Sequence, residues 1–205
     1  MCRYRSGEAL YINGVVDVRT LQGDDNHTDI RREFAIRDGV GHDRHAPFEF
    51  QPTTGLDDYA SYELTWDAGR PDWATPDIEQ RVRDLMTAVV RSDDLADWHG
   101  NLWLLSLTSL PEGVTLSAGG DLNLDSLTSL PEGAKLSAGR YLDLRSLTRL
   151  PAKAQLSAGG DLNLDSLTSL PEGAQLSAAN VYYAGAWHGA IKPARKGKGE
   201  AYVVA

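Results

Sequence analysis

Leucine falls at positions 102, 104, 107, 110 and 116, and again at each of these plus 20, 40 and 60. Residues 101–180 therefore read as four 20-residue units on the skeleton x-L-x-L-x-S-L-T-x-L-P-x-x-x-x-L-S-A-x-x. Two of them, "DLNLDSLTSLPEGAKLSAG" (121–139) and "DLNLDSLTSLPEGAQLSAA" (161–179), differ only at Lys135/Gln175 and Gly139/Ala179. A fixed period near 20 predicts a solenoid, because one such unit has no way to bury its leucines except against the next. The alternating L-x-L predicts a short strand with Leu122 and Leu124 inward and Asn123 outward. Leu127 and Leu130 carry the inward set round a bend, and Pro131 ends it for want of an N–H. "KLSA" then predicts a second strand, and Gly119–Gly120 or Gly139 the turn into the next coil.

The first 93 residues carry a different pattern. "EALYINGVVDVRTL" (8–21) sets Asn13–Gly14 between apolar runs, which predicts a two-residue hairpin. "REFAIRDG" (32–39), "APFEFQP" (46–52) and "SYELTW" (61–66) alternate as half-buried strands do. "TPDIEQRVRDLMTAVVRSDD" (75–94) predicts a helix capped by Thr75, opened by Pro76 and Asp77, with Ile78, Val82, Leu85, Met86 and Val89 as its apolar stripe. The predicted fold is mainly β: a β-solenoid of four 20-residue coils behind a small α+β N-terminal domain. Its divisions are 1–93 for the N-terminal domain with its capping helix, 94–189 for the solenoid and 190–205 for a basic tail. "NVYYAGAWHG" (180–189) reads as a degenerate last coil, and "AYVVA" as a strand folding back. Only the first unit has apolar outward residues, Trp103 and Leu105, which predicts a cover supplied by the helix and "LADWHGN" (95–101).

Composition narrows the function. The net charge is −9, made of −9 over residues 1–100, −3 over 101–180 and +3 over the last 25. Such acidity opposes direct nucleic-acid binding and favours a protein partner with a basic surface. No run of 18 apolar residues implies a membrane span, and the N-terminal stretch lacks a secretory pattern, so the expected location is cytoplasmic. The lone cysteine, Cys2, leaves no internal disulfide and no cysteine-based zinc cage.

The motif "LTSLP" at 107–111, 127–131 and 167–171 resembles the short bacterial type of leucine-rich repeat, over about 80 residues. The spacing is compressed, with Asp125, Arg145 and Asp165 near the family's buried-asparagine position. The resemblance implies a protein-binding scaffold. Near-identical units in a small acidic chain are also similar to accessory proteins of phages and mobile elements. That similarity implies an inhibitor of a bacterial defence or nucleic-acid-handling complex.

Partner-binding residues are expected on the outward columns: Asn123, Asp143 and Asn163 beside Asp125, Arg145 and Asp165, with Tyr141 and Arg149 marking the third coil. Stacking in register makes Asp125–Arg145–Asp165 an alternating-charge ladder. The repeated serines at 106, 126, 146 and 166 and threonines at 108, 128, 148 and 168 are expected to bond backbone at the bend. No catalytic residue, cofactor or metal site is expected. Asp24, Asp25, His27, Asp29, His42, Asp43 and His45 read as polar loops between strands rather than as metal ligands. Phosphate loops and nucleophile motifs are lacking. Two alternatives stay open: an enzymatic or metal-binding N-terminal domain targeted by the repeats, and a structural protein that assembles through open solenoid ends.

Overall fold

Asn13 and Gly14 both take positive φ, 51° and 83°, which closes a tight hairpin between β1 (Arg5–Ile12) and β2 (Val15–Arg19). The structure, a computed structural model, describes residues 5–21, 26–37, 44–171, 173–188, 191–193 and 202–204. The chain forms two compact units, one of residues 1–51 with 62–94 and one of residues 52–61 with 95–205.

In the first unit β1 and β2 join β3 (Arg44–Gln51) and β4 (Glu63–Trp66) in an antiparallel sheet of order β2-β1-β3-β4. Phe48 and Phe50 of β3 are buried, and Phe50 packs on Tyr62 at 5.2 Å between ring centroids. Helix α2 (Pro76–Arg91) packs against β2. Thr75 caps it by accepting from the Ile78 N–H, as the sequence predicts. Its buried stripe is Val82, Met86 and Val90, a register centred further along than the predicted one.

One expected strand is absent. Arg32 and Glu33 of "REFAIRDG" belong to a helix, α1 (His27–Glu33), and Phe34–Ala35 form its terminal turn; residues 38–39 lie outside the described residues. The reason is local. The Asn26 side chain accepts from the Asp29 N–H at 2.9 Å, and Asp29 places negative charge in the first turn, both of which favour helix. With Ile30 the one buried residue in a seven-residue helix, no apolar period exists to reveal it.

The second unit contains the solenoid. One parallel sheet is built from β5 (Leu102–Trp103), β7 (Leu122–Asn123), β9 (Leu142–Asp143), β11 (Asp161–Leu164) and β13 (Asn180–Tyr183). A second is built from β6 (Thr115–Ala118), β8 (Lys135–Ala138), β10 (Gln155–Ala158) and β12 (Gln175–Ser177). Register is one coil per step: Leu102 faces Leu122, then Leu142, then Leu162. The first three leucine columns are at most 2% exposed, and alanines complete the core at 118, 138, 158 and 178 and at 134, 154 and 174. Each buried leucine contributes roughly 1.5–3 kcal/mol before the entropy of ordering is subtracted.

The corner after β6, β8 and β10 admits no side chain. A Cβ on Gly139 would lie 2.1 Å from the Gly119 carbonyl oxygen, and one on Gly159 equally close to that of Gly139. The Gly139/Ala179 difference between the two near-identical units follows from this. After Ala178 the pairing shortens to 19 residues, with Leu162 facing Val181, so the glycine corner is skipped.

Both ends of the column are closed by non-repeating chain. At the start, Trp98 is 2% exposed, bridges to Ala118 and donates its N–H to the Ser117 carbonyl at 2.9 Å. The Thr54 carbonyl, from the 52–61 segment, accepts from the Thr108 and Ser109 N–H groups at 3.2 and 3.1 Å. At the far end, β14 (Ala186–His188) folds back antiparallel on β13 through Ala184–Gly185, so "NVYYAGAWHG", read as a degenerate last coil, supplies one parallel strand and then a hairpin. "AYVVA" does return as a strand: β16 (Tyr202–Val204) pairs antiparallel with β15 (Ile191–Pro193), while 194–201 lie outside the described residues.

Candidate functional site

Coils two, three and four turn out of their first strand through a side chain that accepts from the N–H two residues on; coil one has Trp103 there. Asn123 accepts from the Asp125 N–H at 3.0 Å, Asp143 from Arg145 at 3.1 Å, and Asn163 from Asp165 at 3.1 Å. Side chains of this length mimic a backbone turn, and the column is thereby accounted for by local structure. Asp143 goes further, being wholly buried with the Arg145 guanidinium bonded to both its oxygens. The expected ladder of Asp125, Arg145 and Asp165 is thus redirected: Arg145 turns to the carboxylate of its own coil, where the loss of solvent strengthens the attraction. Tyr141 joins the group by accepting at its hydroxyl from Asn163 Nδ2 at 3.0 Å, and burial pushes its phenol above the ordinary range. Of the hydroxyls expected to bond backbone at the bend, Ser126 donates to the Leu105 carbonyl and Thr148 to that of Thr128.

Arg149 stands apart from this cluster. It is exposed in the "LTRLP" bend, bridging to Ser129 of the preceding coil, and lines a concavity of about 550 Å³. Leu130, Thr148, Leu150, Pro151 and Ser169 line it too. Exposed Lys153 follows two residues after Pro151. The expected site residues therefore divide: Tyr141, Asp143, Arg145 and Asn163 come together on one side of the third coil, and Arg149 faces another. A further side presents the in-register rows Thr115–Lys135–Gln155–Gln175 and Ser117–Ser137–Ser157–Ser177, polar and nearly uncharged. The sequence marks Lys153 by "PAKAQ" in place of the "PEGAK" of coil two.

In the first unit, two of the histidines read as loop residues sit in regular structure, His27 opening α1 and His45 within β3. Both reach Glu8, a carboxylate of β1 with no exposed surface: His45 Nδ1 lies 3.0 Å from Oε2, His27 Nδ1 3.6 Å from Oε1, and Arg31 Nε donates to Oε1 at 2.6 Å. Burial alone would raise the Glu8 carboxyl; His27, His45 and Arg31 outweigh it and hold it below its ordinary value. The other ring nitrogen of His27 faces Asp67 Oδ2 at 2.9 Å and Glu49 Oε1 at 3.5 Å. Burial pushes the Asp67 carboxyl up, with His27 opposing and the Glu49 and Glu8 charges adding. Asp24, Asp25, His42 and Asp43 lie outside the described residues, and Asp29 pairs with Arg32 on α1. Glu8, Glu49 and Asp67 escaped the sequence reading because strand positions and a turn, far apart in the chain, meet only in the folded sheet. Among the described residues no helix is long and apolar enough to cross a membrane. No family model, curated protein or solved structure matches the chain.

Proposed function

We propose that the chain is a non-enzymatic, leucine-rich-repeat-like protein-binding scaffold whose third coil carries the contact. The observation that supports this is the concavity of about 550 Å³ at that coil, apolar at Leu150 and Pro151 and edged by exposed Arg149. A regular ladder presents such a surface preorganised, so little entropy is lost on binding, and arginine is enriched at the centre of interfaces. Charge gives the contact its polarity. Coil three is net +2, with Arg145, Arg149 and Lys153 against Asp143, whereas coil two is −1, with Asp121, Asp125 and Glu132 against Lys135 and Arg140, and coil four is −3, with Asp161, Asp165 and Glu172. The partner is then a protein basic where it meets coils two and four, with a carboxylate seated against Arg149. Nucleic-acid-handling proteins offer basic surfaces of this kind, and covering one makes the scaffold an inhibitor. End-to-end assembly has less support, because Trp98 and the β13–β14 hairpin close the two ends of the column.

The test is capture from bacterial lysate with cross-links mapped by mass spectrometry, followed by affinity measurement on Arg149→Glu/Lys153→Glu. Cross-links at residues 141–171 are expected, with affinity reduced more than about tenfold and melting temperature unchanged. Equal affinity in the double variant, or cross-links confined to residues 1–93, refutes the reading.

A further inference from the structure

We propose that His27, Glu49 and Asp67 form a binding site for a divalent first-row transition cation of the Zn²⁺/Mn²⁺ class. One ligand atom from each lies within 4.8 Å of the other two. With metal–ligand bonds of about 2.0–2.2 Å, neighbouring ligands in a coordination sphere stand roughly 2.9–3.6 Å apart. The spacings from His27 Nε2, 2.9 Å to Asp67 and 3.5 Å to Glu49, are already of that size. Closing the Glu49–Asp67 gap falls to Asp67, the most exposed of the three at 34%, which also leaves the ion a path in from solvent.

A second, independent feature points the same way: the surroundings hold His27 and Glu49 toward the site. The His27 ring has a buried carboxylate, Glu8, behind Nδ1 at 3.6 Å, while Nε2 faces Glu49 and Asp67. Three carboxylates around one imidazole concentrate negative charge that a bound cation would offset. Glu8 is itself anchored by Arg31 and His45. Glu49 is buried and takes the Ser6 hydroxyl at 3.2 Å from both oxygens. The Asp67 backbone is held, its N–H donating to the Pro47 carbonyl at 3.1 Å, while the partly exposed carboxylate can turn onto the ion. Helix α1, strand β3 and the residue after β4 each contribute one ligand, so the site exists only in the folded unit. One imidazole and two carboxylates suit Zn²⁺ or Mn²⁺ better than thiophilic ions, and the histidine argues against Ca²⁺ or Mg²⁺.

The experiment uses the full chain, stripped with a chelator and titrated calorimetrically with ZnCl₂ and separately with MnCl₂, with thermal melts beside each titration. One equivalent of at least one ion is expected to bind and raise the melting temperature. Glu49→Gln and Asp67→Asn should each weaken that binding by at least about tenfold. Asp67→Asn is isosteric and partly exposed, so its metal-free melt should stay near that of the parent chain and keep the test independent of folding. A folded chain that takes up neither ion at one equivalent overturns the proposal. Affinity unchanged in both variants overturns it equally.

Discussion

Asp143, with no exposed surface, takes both the backbone N–H and the guanidinium of Arg145, two residues further on. The pair replaces the Asn–Asp arrangement of coils two and four, where the amide oxygen alone holds the turn. Arg145→Ala leaves a buried carboxylate without its charge partner, at a cost of about 3 kcal/mol. Asp143→Asn combined with Arg145→Asp gives coil three the residues of its neighbours and should recover most of that loss. Urea unfolding of both variants checks this; equal destabilisation would show that the turn does not depend on charge pairing.

Gly139→Ala tests the corner. A methyl group 2.1 Å from the Gly119 carbonyl oxygen forces adjacent coils apart, with an expected cost of about 1–3 kcal/mol. Gly133→Ala, in open space at φ 74°, probes the left-handed backbone alone and should cost roughly 1 kcal/mol. The difference between their midpoints in denaturant isolates the close approach.

Tyr141→Phe removes the hydroxyl that accepts from Asn163 and should destabilise the chain by about 0.5–1.5 kcal/mol near pH 8. The folded phenol titrates above its unfolded value, so the folded chain keeps that proton longer. This contribution is complete below about pH 10 and lost as pH rises through the folded value. The gap between parent and variant should therefore narrow in alkaline solution, and a gap that widens would contradict the burial of the phenol.

Trp98→Ala opens the first coil. The indole is 2% exposed and its Nε1 donates to the Asn101 carbonyl at 3.0 Å, so truncation should cost about 3–5 kcal/mol. A fragment beginning at residue 94 keeps Trp98 but lacks Thr54, the acceptor for Thr108 and Ser109, and should melt below the full chain. A fragment that melts with the parent would make the 52–61 segment dispensable.

The solenoid was legible in the chain because repetition is local information: a leucine period, a proline stop and a glycine corner recur in every unit and mean the same each time. The hairpin at Asn13–Gly14 and the cap at Thr75 were legible for the same reason, since a turn or cap depends on few neighbours. Tertiary structure decided where burial or distance governs. Asp143 looks outward by alternation, yet pairing with Arg145 draws it wholly inside. The short α1 leaves no period to read. Glu8, His27, Glu49 and Asp67 converge because an antiparallel sheet brings β1 beside β3 and β3 beside β4, and no spacing along a chain records which strands will pair.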